Sequence, residues 1–411
     1  MRILVISGRT ARHPWSSGSL VAAACAALAE RGYRVSLLAQ SVDDSELFTS
    51  CETVTTFDSF DQTATDWPLG FASWARAHRA RRPHDVSLSF SRVAAGDVWM
   101  PLEPSGAAWL TRIRHSHSIP SQMIAVARHH GALRAWASDA FFVTPPTGGL
   151  PIRRVLAVGS TIAGEFSRAL HRARGLGERV VKMDPFGIIL PPGPAELAAV
   201  RARARATLRM GEHERVILVT APAPVGGLLD SLIGSVAESP QRHRERGAIL
   251  LVLARDCFAL QRRAARLGGA ARTRILNLTH DMPAALAAAD AVALPTRTAR
   301  GLFEHGGSTR LAAESLAFGR PLLAVSGAAG YGMARLRSAS GNVPGTVVDT
   351  ATKGEWDRAM AQLASDDWLA TASAAAAELG APMTFARFAE ALDSTLTDAA
   401  RERAEDPHAA L

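Results

Sequence analysis

The chain has 411 residues, 47% of them hydrophobic and 20% charged, with a formal net charge of +8. This composition excludes a disordered chain and, at roughly 100–200 residues per domain, points to two domains that each bury a core. The three dispersed cysteines, Cys25, Cys51 and Cys257, exclude a disulfide framework and a four-cysteine zinc site, and fit a reducing compartment.

Residues 2–7 read as a buried strand and residues 18–31 as an Ala-rich amphipathic helix, with Gly32 as its C-cap. A strand over Arg34–Leu38 completes a strand–helix–strand unit, the opening of a doubly wound parallel sheet. Weaker strands follow at Thr53–Phe57 and Val86–Phe90. Residues 71–82 join aromatic residues to a basic run, and 120–140 read as a helix. A further strand at Val155–Val158, a helix at 161–173 and a strand at Val180–Asp184 lead into a Gly/Pro-rich loop at 185–194, which reads as a linker.

Beyond the loop the alternation restarts. Strands are expected at Arg215–Thr220, Ile249–Ala254, Arg274–Leu278, Ala291–Pro295 and Pro321–Val325. Helices are expected at Gly227–Glu238, Phe258–Leu267, Met282–Ala289 and Ser308–Phe318, and the end is helical from about 355 to 404. The fold class is therefore α/β, two doubly wound parallel-sheet domains of similar size. The expected domains are residues 1–190, residues 191–382, and a C-terminal helix over 383–411 returning to the first. Two facing sheets of this kind place a ligand at the carboxyl ends of their strands.

No apolar run approaches the ~20 residues that span a bilayer. Met1–Gly8 is too short and too soon interrupted by charge to be a signal peptide. We expect a cytoplasmic protein, in contact at most with the inner face of the membrane. Apart from Lys182 and Lys353 the 46 basic residues are arginine, a compositional bias that says little of function by itself. A basic surface favours anionic partners, but no nucleic-acid reader module is present. Phosphate-loop lysine, zinc-protease and nucleophile-elbow motifs are also missing.

The most informative stretch is 273–326. Within it Asp290, Pro295, Glu314, Ala317, Gly319 and Pro321 occur in an order and spacing that resembles the C-terminal domain of GT-B glycosyltransferases of family four, the group that includes lipopolysaccharide-core glucosyltransferases. In the first half, Gly8–Ser19 with Gly18 resembles the family's glycine loop. The Ser89–Trp99 block, with Asp97, resembles a strand–loop of the lipopolysaccharide-core branch, and Glu103–Leu110 resembles a third block.

The resemblance implies a GT-B fold and transfer of a sugar, with retention, from a nucleotide diphosphate donor to a glycan or lipid-linked acceptor. It implies no metal and no cofactor beyond the donor, because helix dipole and cations take the metal's place. A glycine-led turn opening a helix offers N–H groups to a diphosphate, and a carboxylate one or two turns further on can accept ribose hydroxyls. Gly306, Gly307, Ser308, Arg310 and Glu314, with Gly18, are therefore the candidate donor-binding residues. Glu304 and Asp97 are the candidate catalytic carboxylates. Arg76, Arg79, Arg112 and Arg114 place positive charge where an anionic acceptor would dock. The 71–82 segment also suits an anionic membrane surface.

Three positions depart from the family. Gly306 stands where the family has a second Glu, eight residues before Glu314, with Glu304 two residues further upstream. The segment Ala221–Gly227 carries no cation, although the family has two there; Arg297, Arg300 and Arg310 are the candidate replacements. Gly106 replaces a His, with His13, His115 and His117 as candidate substitutes. Two readings follow: a transferase with a rebuilt site, or a scaffold or regulator that has kept the fold and lost catalysis.

Overall fold

The computed structural model describes residues 1–10, 17–42, 44–57, 67–91, 96–101, 152–159, 163–168, 177–189, 191–221, 227–242, 247–278, 281–295, 305–326, 332–349 and 352–405. The expected helix at 120–140 lies outside them. The chain divides into two compact units, Met1–Pro185 with Ala386–Leu411, and Phe186–Phe385. The chain changes unit at the start of the 185–194 loop, because residues 186–189 are bonded into the second unit. The Gly187 N–H donates to Met383 O at 3.0 Å, and the Phe186 and Phe385 rings lie 6.4 Å apart.

In the first unit, β1 (Arg2–Thr10), β2 (Arg34–Val42), β3 (Thr53–Thr56), β4 (Val86–Ser89), β5 (Val98–Trp99), β6 (Arg154–Val158) and β7 (Val180–Met183) form a sheet in the order β3-β2-β1-β4-β5-β6-β7. Every pairing is parallel. The helix Ser17–Glu30 buries Leu20, Val21, Ala24, Cys25, Ala27 and Leu28, a stripe at helical spacing that the Ala-rich sequence encodes. It ends as expected at Gly32, whose φ of 80° lets the Tyr33 N–H reach back to Leu28 O. The helix Phe385–Glu405 closes this unit. Its buried residues include Phe388, Leu392, Leu396 and Ala399, and Tyr33 Oη donates to Asp393 at 2.6 Å.

In the second unit, β8 (Arg215–Ala221), β9 (Ala248–Ala254), β10 (Thr273–Asn277), β11 (Ala291–Leu294), β12 (Leu322–Val325) and β13 (Gly345–Val348) form a sheet in the order β10-β9-β8-β11-β12-β13, again all parallel. Every residue of β9, β11 and β12 is buried, as strands covered on both faces require. The sequence reading did not include β13 or the helix Pro194–Thr207. The helix escapes a periodicity search because Arg-Ala-Arg-Ala-Arg-Ala alternates with period two. Pro194 at its first turn starts it, and Arg201 and Arg205, four apart, share one face.

That shared face meets a buried aspartate. Asp290 sits one residue ahead of β11; its Oδ1 takes Arg201 at 2.5 Å, and its Oδ2 takes Arg205 at 2.9 Å and the Val216 N–H at 2.7 Å. Both arginines also donate to the carbonyls that end the helix Met282–Ala288: Arg201 to Ala287, Ala288 and Ala289, Arg205 to Ala288. Arg320 adds bonds to Leu286 O and Ala287 O at 3.0 Å each. Burial beside Arg201 lowers the Arg320 pKa to about 10. The arginines satisfy carbonyls a helix end leaves open, and Asp290 balances their charge.

The first unit repeats the device. Asp97, one residue ahead of β5, is fully buried; its Oδ1 takes Arg79 at 2.7 Å, and its Oδ2 takes the Ser87 N–H at 2.8 Å, Ser87 Oγ at 2.6 Å and Arg403 at 3.1 Å. Burial works against its charge, but Arg79, Ser87 and Arg403 win and hold its pKa below the ordinary aspartate value.

Removing one partner of a buried ion cluster strands the other, at about 3–5 kcal/mol. Asp97→Asn and Asp290→Asn are each expected to lose stability of that order in urea unfolding. For Asp97→Asn the gap to the unaltered protein closes as the pH falls below 3.8, because the native carboxylate's contribution is lost as it protonates.

Candidate functional site

The helix His305–Ala317 follows β11, so its amino end lies on the carboxyl side of the second sheet, next to the reversal of strand order between β8 and β11. Leu311, Ala312, Ala313 and Leu316 bury its inner face. Its far end is fixed by close approach. A Cβ on Gly380 would lie 2.2 Å from both Ala317 N and Leu316 C, so only glycine lets the helix Asp366–Gly380 lie backbone to backbone against it. Gly306, Gly307 and Ser308 fall in the first turn, where backbone N–H groups have no acceptor within the helix.

Glu314 projects from the third turn and is fully buried. Its Oε1 accepts the N–H of Ile188 at 3.1 Å and of Ile189 at 3.2 Å, and lies 3.3 Å from Arg310 Nε one turn earlier. Oε2 is buried and has no hydrogen-bond partner among the described residues. Burial pushes the Glu314 pKa above the ordinary value, against the opposing pull of Arg310 and the two amides. Burial likewise lowers the Arg310 pKa, against the pull of Glu314. A buried carboxylate oxygen without a donor is an expensive feature, and it is the kind of atom a bound hydroxyl satisfies.

The structure brings together Gly306, Gly307, Ser308, Arg310 and Glu314 on one helix. Arg310, expected as a diphosphate clamp, is 6% exposed and ion-paired with Glu314. Asp97 and Arg79, expected as a catalytic carboxylate and an acceptor contact, are bonded to each other in the buried cluster at the amino end of β5, the edge of the sheet opposite the strand carboxyl ends. Arg76 is exposed on the helix Trp67–Arg81, and Gly18 lies in the first turn of Ser17–Glu30. The aromatic residues of the 71–82 segment turn inward: Phe71 is fully buried against Leu4, Ile6 and Leu38, and Phe57 and Trp74 pack on it. Phe71 belongs to the core, with Trp74 partly buried beside it.

Glu304, Arg297, Arg300, Arg112, Arg114, Gly106, His13, His115 and His117 lie outside the described residues. The sequence reading passed over Gly187, Ile188 and Ile189, which it took as linker. Their partner is more than a hundred residues away, and no local pattern marks the contact. Among the described residues no group of three or more His, Cys, Asp or Glu is placed to hold a metal, and no helix is long and apolar enough to cross a membrane.

No protein-family model matches the sequence, and no curated protein matches it. Solved structures do. WaaG, a glycosyltransferase involved in lipopolysaccharide biosynthesis, superposes with a TM-score of 0.71 at 15% identity over 97% of this chain and 100% of that one. Anabaena Alr3699/HepE, in complex with UDP and glucose, gives 0.64 at 16% identity over 97% and 100%. An E. coli structure described as trehalose-6-phosphate bound with UDP-2-fluoro glucose gives 0.58 at 13% identity over 96% and 99%. The chain has the GT-B glycosyltransferase fold, as the resemblance implied.

A carboxylate whose pKa rises on folding loses stability as the pH climbs from its unfolded to its folded value. Glu314→Gln keeps an acceptor for the two amides and removes that loss, against a constant cost from taking the carboxylate away from the buried Arg310. The stability difference between variant and unaltered protein is expected to move in the variant's favour as the pH rises above 4.5, at up to about 1.4 kcal/mol per pH unit until the folded-state pKa is passed. Thermal unfolding from pH 4 to 8 measures it.

Proposed function

We propose that the protein is a nucleotide-sugar-dependent glycosyltransferase of the family-four type, moving a sugar with retention from a nucleoside diphosphate to a glycan or lipid-linked saccharide. The observation that carries this reading is the buried Glu314 with its unsatisfied Oε2, on a helix opened by Gly306, Gly307 and Ser308 at the ligand-binding edge of a parallel sheet. An α-helix rises 1.5 Å per residue, so Gly306 and Glu314 are about 12 Å apart along the axis. That span suits a diphosphate over the helix amino end and a ribose at the carboxylate. The helix dipole and the open N–H groups stabilise the diphosphate charge that grows as the glycosidic bond breaks. The UDP complexes among the structures of the same fold support a nucleotide donor.

A second reading, a scaffold or regulator that binds no donor, is favoured by one observation. Gly306 stands where the family has an acidic residue eight positions before Glu314. Titration calorimetry with UDP, ADP and GDP separates the two. The transferase reading expects one of them to bind below millimolar concentration, and Glu314→Ala to weaken it at least tenfold, the loss of a hydrogen bond to a charged acceptor. No binding of any of the three at millimolar concentration overturns it.

A further inference from the structure

The segment that carries the chain into the second unit is built around Glu314. Ile188 and Ile189 both give their N–H groups to Oε1, and Arg310 faces that same oxygen. Gly187 comes closer still: a Cβ there would stand 2.6 Å from Glu314 Cγ and 3.4 Å from its Cα. Its own N–H is bonded to Met383 O at 3.0 Å, and the Phe186 and Phe385 rings lie 6.4 Å apart, so the backbone beside the carboxylate is tied in place. The result is an asymmetric carboxylate: among the described residues the donors fall on one oxygen and none on the other.

We propose that Gly187 is a positioning residue for nucleotide selection: the 186–189 segment clamps Oε1 so that Oε2 alone receives both hydroxyls of a ribose diol. The inference rests on the reading of Glu314 as the ribose carboxylate and adds two things to it. It names which oxygen accepts, and it assigns the aim of that oxygen to a glycine distant in sequence. The clamped carboxylate offers two lone pairs of a single oxygen, so a nucleotide lacking either hydroxyl loses one charge-assisted bond and binds about tenfold more weakly or worse; pushed out of the clamp, it no longer reaches the diol.

The test uses the full-length protein and calorimetry with whichever of UDP, ADP and GDP binds, alongside its 2′-deoxy and 3′-deoxy forms and inorganic pyrophosphate. In the unaltered protein each deoxy form is expected to bind at least about tenfold more weakly than the ribonucleotide. In Gly187→Ala the methyl pushes the Glu314 side chain off its amides. The ribose-to-deoxyribose ratio then falls toward one while pyrophosphate affinity stays unchanged. An undiminished ratio in Gly187→Ala overturns the positioning role but leaves the nucleotide reading standing. Absence of nucleoside diphosphate binding by the unaltered protein overturns both. Should Gly187→Ala fail to fold, Gly187→Ala/Glu314→Ala decides. Removing Cγ clears the contact and restores folding if the 2.6 Å approach is the cause, and continued failure overturns the inference.

Discussion

A carboxylate taken out of water needs a donor at each oxygen, or it carries the full penalty of its lost hydration. Three of the buried carboxylates among the described residues, Asp97, Asp290 and Glu314, meet that demand in two ways. Asp97 and Asp290 meet it completely. Each precedes a strand, each takes a backbone N–H from the neighbouring strand, and each is flanked by two arginines. Glu314 meets it, among the described residues, on one oxygen only. Against the two satisfied aspartates the open oxygen of Glu314 stands out, because the same fold shows how such a group is closed by arginines and a strand N–H.

The satisfied pair explains how these Ala-rich units hold their architecture. Alanine helices bury little area per residue, so their ends and their seating on the sheet depend on specific polar ties. Asp290 joins the helix Pro194–Thr207, the carbonyl end of Met282–Ala288 and the edge of β8 in one cluster. Asp97 does the same for Trp67–Arg81, Phe385–Glu405 and β4. Arg79, Arg201, Arg205, Arg320 and Arg403 therefore act inside the protein, and their share of the positive charge is spoken for by buried carbonyls and aspartates.

The division of labour along each sheet follows. At the amino edge of β5 and β11 buried ion clusters fix the helices. The carboxyl side of the second sheet receives the amino end of His305–Ala317 and, two turns in, the aimed carboxylate. The same residue types carry opposite meanings at the two edges. Asp97 has the acidity and the sequence neighbourhood of a catalytic group, and its position among Arg79, Arg403 and Ser87 turns that acidity to structure.

The sequence by itself determined the α/β alternation, the two-sheet organisation and the helix that carries Gly306 to Glu314. Each of these is written in local signals: apolar runs of strand length, helical stripes, glycines at helix ends. Strand β13 and the helix Pro194–Thr207 were hidden, the first by its shortness after a Gly- and Pro-containing turn, the second by a period-two alternation of arginine and alanine. Only the tertiary structure decided which charges are buried and what they face. The partners of Glu314 at 188 and 189, of Asp290 at 201 and 205, and of Asp97 at 403 are brought together by chain crossings that no local pattern encodes. A charge's role is set by the donors around it in space, and its neighbours in sequence do not reveal them.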